Sequence, residues 1–300
     1  MSNIYNIFNE ENTAKKSQPR LSKEEYAKQM KERRKSLFSM ANTQTMEAVA
    51  NPENYMTYLQ LQSKLGYTIT NTMLVMAQKP NASMLKDTAR WRENNLFIKK
   101  GEKGIQILEP SGEYTRRDGT VGVNYNPKYV FDISQINTKE DDFSVPNPNN
   151  IGDLVSAIMY QTDVKPEVVS VDSKMPSSVY FDEKSNKIFV TQGLEQEVMV
   201  QGLIREYSFV ECFDHNISKQ EARFMAESAG YMIAQKYGID YDPYFIKGEC
   251  QHYFSGKEQR DVKRELENIK NIFENVSERM EHGLYAISQF KQNQRSDQVR

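Results

Sequence analysis

The feature that limits the fold most is the run over residues 257–291, where Val262, Leu266, Ile269, Ile272, Val276, Met280, Leu284 and Ile287 recur at spacings of three or four among charged residues. Apolar side chains at that period line one side of an α-helix. The run therefore predicts one long helix that packs a narrow stripe and exposes the rest. Upstream, residues 195–212 and 218–237 carry two further amphipathic helical patterns, and Gly238 is placed to end the second as a left-handed C-cap. Residues 151–162 read as helical, and SVYFDEKSNKIFVTQ reads as a hairpin turning at 183–186.

The front half has a different texture. Residues 1–20 are polar and without periodicity, and are expected to form a flexible N-terminus. From Leu21, LSKEEYAKQMKERRKSLFSMANT reads as a helix opened by Ser22, with Glu24 and Glu25 in the first turn where the helix dipole favours acids. Residues 52–65 give a second helix ended by Gly66, and residues 70–77 a third, closed before Pro80. Past Trp91, FIKKGEKGIQILEP alternates and turns on glycines, and YVFDISQI returns as a strand across a loop at 116–122. The stretch TKEDDFSVPNPNN, residues 138–150, is acidic and rich in Pro and Asn with no apolar period, and reads as a linker. The expected fold class is α+β: a small mixed domain at 21–137, the linker at 138–150, and a mainly helical domain at 151–300 that closes with the long helix.

A length of 300 residues exceeds the usual size of a single core and agrees with two domains. With 38% hydrophobic and 27% charged residues, no apolar run approaches a membrane span. The start MSNIYNIFNEENTAKK lacks the basic and apolar regions of a secretory signal, so a cytoplasmic location and no membrane partner are expected. Net charge is −2, but residues 1–130 hold 20 Lys and Arg against 13 Asp and Glu, whereas the remainder holds 19 against 28. A basic front joined to an acidic back predicts different partners for the two halves. The two cysteines, Cys212 and Cys250, are too few for a disulfide framework. With His215 and His252 they supply two thiols and two imidazoles, the softness structural zinc requires. The spacings are not those of a common finger, and buried thiols beside surface histidines are the preferred reading.

In the front half YTITNTMLVMAQKPNAS, ARW, IKKGEKGIQILEP and VFDISQI follow one another in the order found in ArdC-like antirestriction proteins and their LtrC-like relatives, which occur on plasmids and conjugative elements. The sequence resembles that family over roughly residues 50–137. The resemblance implies a domain that binds single-stranded DNA and a role in protecting transferred DNA from host defence. The same family usually continues into a metallopeptidase-like, zincin-like domain with a His-Glu-x-x-His helix, and the matching stretches here are Arg205-Glu206-Tyr207-Ser208-Phe209 and Arg223-Phe224-Met225-Ala226-Glu227. Two imidazoles at i and i+4 hold zinc on one helical face, a third ligand completes the site, and the glutamate acts as base on metal-bound water. Arginine stays protonated and phenylalanine has no ligand atom, so Arg205 and Phe209 remove two ligands and Arg223 falls at the third. Glu221 or Glu227 restores a carboxylate only in a shifted register. The expectation is a pseudo-peptidase without metal or cofactor, in which Arg205 and Glu206 form a structural ion pair.

Binding a single strand without sequence preference needs a basic groove and flat side chains on which bases stack. Arg90, Trp91 and Arg92 stand together, Lys99, Lys100 and Lys103 cluster on the turn at Gly101 and Gly104, and Arg116 and Arg117 extend the same edge. Asn71 and Gln78, in the resembling segment, serve either as backbone caps or as strand contacts. Lys31, Arg33, Arg34 and Lys35 rank second, and Tyr58, Tyr67 and Phe97 are assigned to the core. Two other functions are weighed: an acidic back half that occupies a host defence nuclease, and an active metallopeptidase using an unrecognised metal constellation.

Overall fold

The computed structural model describes residues 22–137, 150–170, 175–212 and 217–298. The expected flexible N-terminus, His215 and nearly all of the expected linker lie outside these residues.

Three helices come first: α1 (Lys23–Ala48), α2 (Pro52–Leu65) and α3 (Ile69–Gln78). Ser22 and Glu25 close a capping box on α1, which ends at Ala48, and after a short turn Asn51 and Pro52 start α2. Gly66 ends α2 in the left-handed region, with φ 60°, as its residue type predicts. A short strand β1 (Leu85–Lys86) and helix α4 (Thr88–Glu93) lead into the long hairpin β2 (Ile105–Thr115) and β3 (Val121–Asp132). This sheet is antiparallel in the order β1-β3-β2, and a bulge between Pro110 and Gly112 shifts its register. Beyond Leu108 the β2 arm of the hairpin is exposed.

The second part opens with α5 (Ile151–Ile158), followed by β4 (Pro166–Val169), β5 (Val179–Asp182) and β6 (Lys187–Thr191). Its sheet has the order β4-β6-β5, with β4 parallel and β5 antiparallel to β6. Helices α6 (Gln196–Cys212), α7 (Lys219–Tyr237), α8 (Tyr244–Phe254) and α9 (Gln259–Gln298) complete the fold. The stripe predicted on α9 is buried from Val262 through Met280, while Leu284 and Ile287 are partly covered. Its Gly283 lies where any Cβ would come within 2.8 Å of Ala157 Cα, which is why α5 can press against it.

The α+β class agrees with the sequence reading. The helices of the front segment also meet those of the back. Tyr55 of α2 stacks on Phe224 of α7 with ring centroids 5.6 Å apart and donates its hydroxyl proton to Ser228 Oγ at 3.0 Å. Gln60 donates to the Tyr231 hydroxyl at 2.9 Å. One hydrophobic cluster runs through both segments. Among the described residues no helix is long and apolar enough to cross a membrane.

Candidate functional site

Two places bring the predicted residues together, one in each half. In the back half, α6 and α7 lie side by side and present Arg205, Glu206, Phe209, Arg223 and Glu227 to a common space. Glu206 is only 1% exposed, and a bare buried carboxylate would be expensive. Its Oε1 accepts from Arg205 Nε at 2.8 Å and from Arg223 Nη1 at 3.0 Å, and its Oε2 accepts the Phe181 N–H at 3.1 Å. Arg205 Nη2 continues to the Val179 carbonyl at 2.8 Å. Arg205 and Glu206 therefore form the expected ion pair, and together they satisfy backbone groups on the outer edge of β5. The Arg223 guanidinium also lies 4.5 Å from the centre of the Phe209 ring.

Glu227 is less well compensated. Its Oε2 accepts from the Tyr241 hydroxyl at 2.6 Å, but Oε1 is 4.0 Å from Arg205 Nε, beyond hydrogen-bond reach. Burial pushes its carboxyl above the ordinary range, against the opposing hydrogen bond from Tyr241 and the charges of Arg205 and Arg223. The residues do not fit the metal that the family resemblance implies. The carboxylate oxygens of Glu206 are engaged by guanidinium groups and a backbone N–H, and Phe209 offers no donor atom. Among the described residues no three His, Cys, Asp or Glu side chains form a metal-binding group. Cys212 donates to the Phe209 and Ala222 carbonyls at 3.3 and 3.2 Å, Cys250 is buried, and burial pushes both thiols up to about 12. His252 is exposed.

In the front half the expected basic edge is broken up. Arg116 and Arg117 sit at the hairpin tip, and Lys99, Lys100 and Lys103 precede its base. At roughly 3.3 Å per residue, the length of β2 puts more than about 30 Å between the two groups. Arg116 also folds back on its own turn, donating to Thr120 Oγ1 at 3.1 Å and the Val121 carbonyl at 3.0 Å. Arg90 and Arg92 are exposed in the last turn of α4, and Lys99 donates to the Ser134 carbonyl at 2.9 Å.

Two expectations are corrected here, and one pair of alternatives is decided. Trp91 is fully buried, donates its indole N–H to the Phe131 carbonyl at 2.9 Å, and has Lys86 over its ring, so no base can stack on it. Asn71 and Gln78, seven residues apart on α3, seal the free edge of β2. The Asn71 amide exchanges hydrogen bonds with the N–H and C=O of Leu108, and the Gln78 amide does the same with Gln106. With their amides spent on the backbone, both are caps and not strand contacts. Phe97, assigned to the core, is 58% exposed.

What the sequence reading missed is a groove of about 740 Å³ on one face of this sheet, lined by Lys103, Gly104, Gln106, Tyr129 and Phe131. Tyr129 is 47% exposed. Arg33 of α1 donates to its hydroxyl, places its guanidinium 4.8 Å from the ring centre, and is fixed by a 2.8 Å bond from Nε to Gln106 Oε1. A Cβ on Gly104 would come within 2.9 Å of both the Tyr129 and Phe131 rings, so glycine is what lets them lie over the strand. The alternation of Tyr125, Pro127, Tyr129 and Phe131 against buried Val130 and Asp132 was the available signal for an aromatic face.

No family model matches the sequence, and none of the curated proteins does. Among solved structures the chain is similar to the antirestriction protein ArdC from the R388 plasmid in its metal-free form. The TM-score is 0.54 at 13% identity, over 83% of this chain and 99% of that one. The chain has the fold of ArdC. A Mn(II)-bound structure of ArdC matches with a TM-score of 0.46, 11% identity and coverage of 71% of this chain and 83% of that one. At such identities the likeness to ArdC concerns the backbone, and the side chains of this chain must be argued from their own contacts.

Proposed function

We propose that this chain is a non-catalytic, single-stranded-DNA-binding antirestriction protein of a mobile genetic element, acting in the cytoplasm. The observation that carries the reading is the groove on the front sheet, where the half-exposed Tyr129 ring stands against Arg33 and Lys103 lines the same groove. A flat ring gives an unpaired base a stacking surface worth about 1–3 kcal/mol, and the two cations offer positive charge to the phosphates of a bound strand. A paired base keeps its faces covered by its neighbours, so the same groove disfavours duplex. The fold shared with ArdC supports the antirestriction part of the proposal. Binding protects by occupancy, with no bond made or broken, and the guanidinium-paired Glu206 supports the absence of a hydrolytic step.

The test is fluorescence anisotropy with labelled single-stranded and duplex oligonucleotides of one sequence at low and high salt. The proposal expects preference for the single strand and affinity that falls steeply with salt as counterions are released. Equal affinity for both forms contradicts it. The competing reading, in which the acidic back half occupies a host nuclease, is less well supported. Its carboxylates on α9 are interleaved with cations, as in the pairs of Lys270 with Glu267 and Glu274, and do not form a bare acidic face.

A further inference from the structure

Beside the paired arginines a pocket of about 220 Å³ opens to solvent, lined by Arg205, Glu227, Tyr241, Asp242, Tyr244 and Phe245 together with Gln201. We propose that this pocket binds a single alkyl-ammonium or alkyl-guanidinium cation, the side chain of a lysine or arginine presented by a partner protein, through Glu227 and the surrounding rings.

The charge count selects a cation. Arg205 and Arg223 both pair with Glu206, Arg205 stands 4.0 Å from Glu227, and Asp242, which accepts the Tyr244 N–H at 3.0 Å, lines the same pocket, so two guanidiniums are set against three carboxylates. The two guanidiniums are directed at Glu206 and, through Arg205, at the Val179 carbonyl. Among the described residues that leaves Glu227 Oε1, on a side chain only 12% exposed, with no hydrogen bond and with its nearest cation, Arg205 Nε, 4.0 Å away. The Tyr241 hydroxyl holds the other oxygen and fixes the carboxylate in place. An incoming N–H donor would complete the set with a charge-assisted bond. An anion would instead share the pocket with the carboxylates of Glu227 and Asp242.

The walls fit the same ligand. Tyr244 is 81% exposed at the mouth and Phe245 is half-buried beside it, so an alkyl stem has apolar surface and its charged end has ring faces nearby. The size limits the ligand to one side chain, because pockets that enclose drug-sized molecules run from about 300 Å³ upward. Burial also holds the Glu227 carboxyl above its usual range, and keeping an acid where it is poorly solvated is common at binding sites. The inference is independent of DNA binding, since it involves none of the front-half residues.

The test uses the full chain and two-dimensional amide NMR, titrated with n-butylammonium, with sodium butyrate, and with the peptide Gly-Gly-Lys-Gly-Gly blocked at both ends. The proposal expects saturable shifts confined to the neighbourhood of Gln201, Tyr241, Tyr244 and Phe245 on adding either cation, and none with butyrate. Glu227→Gln, which keeps an acceptor for Tyr241, should weaken binding by about tenfold or more. Tyr244→Ala, on an exposed ring that the fold does not need, should weaken it severalfold with an otherwise unchanged spectrum. Tighter binding of the peptide than of butylammonium identifies a protein side chain as the ligand. Equal affinity keeps the cation site but overturns its assignment to a protein partner. No saturation with either cation, or cation binding that survives Glu227→Gln, overturns the site itself.

Discussion

Arg223 shows at the scale of one residue how the back half accommodates a buried acid. Glu206 has two guanidinium partners, and removing one leaves the carboxylate under-compensated in a space that water enters poorly. Arg223→Met should therefore cost on the order of 3 kcal/mol in chemical denaturation. A change within about 0.5 kcal/mol, the level of an ordinary surface substitution, would mean that the pair contributes little. Glu227 makes a prediction of opposite sign. Burial holds its carboxyl above the ordinary 4.5, against Tyr241, Arg205 and Arg223, so between that value and its folded-state pKa the native chain holds a proton that the unfolded chain releases. Stability contributed by this group falls as pH rises through that window and is level beyond it. Glu227→Gln removes the fall, so its melting temperature should rise relative to that of the parent chain as pH is raised from 4.5 toward neutrality. Parallel melting curves across the series would contradict the account. Trp91→Ala should lower stability by about 3–5 kcal/mol, because it empties a fully buried site.

At the scale of elements, both three-stranded sheets have an outer edge sealed by side chains from a helix. Asn71 and Gln78 of α3 take the β2 backbone at Leu108 and Gln106, and Arg205 and Glu206 of α6 take the β5 backbone at Val179 and Phe181. An open edge invites pairing with another chain, and an amide that exchanges both hydrogen bonds mimics the missing strand. The double variant Asn71→Ala/Gln78→Ala should lose about 2–4 kcal/mol, from about 1–2 for each edge left unsatisfied, and should show concentration-dependent association by light scattering. A stable monomeric variant would show that the caps are dispensable. These contacts were hidden in the sequence because an amide has the same residue type whether it meets a strand edge or a ligand. The helices were more legible, since Ser22, Gly66 and Gly238 mark their ends and the stripe on α9 repeats without interruption. Helix α8 escaped notice because Gly248 sits in the middle of its short sequence and Pro243 at its N-cap offers no capping side chain, the Tyr244 N–H being met by Asp242 Oδ1 one residue earlier. Trp91 misled for a related reason: its flanking arginines read as a binding edge, yet on a helix neighbours point in different directions, and the ring turns inward while Arg90 and Arg92 face solvent.

At the scale of the molecule, α2 joins the segment that carries the groove to the segment that carries the paired arginines through Tyr55 and Gln60. The charge asymmetry of the sequence survives in the fold, but the basic residues do not gather where neighbours in sequence suggested. The hairpin tip with Arg116 and Arg117 and the groove with Lys103 stand at opposite ends of β2, so they make separable predictions. The most direct test of DNA binding at the groove compares two double variants with the parent chain by anisotropy on a labelled single strand at low salt. Tyr129→Ala/Lys103→Glu removes the ring and reverses the charge of the lysine that lines the same groove, whereas Arg116→Ala/Arg117→Ala strips the tip. The account predicts a loss of about 100-fold or more for the groove variant, from stacking worth about 1–3 kcal/mol together with a reversed charge, and only a small loss for the tip variant. Parent-like affinity in the groove variant, or a larger loss from the tip, would contradict it.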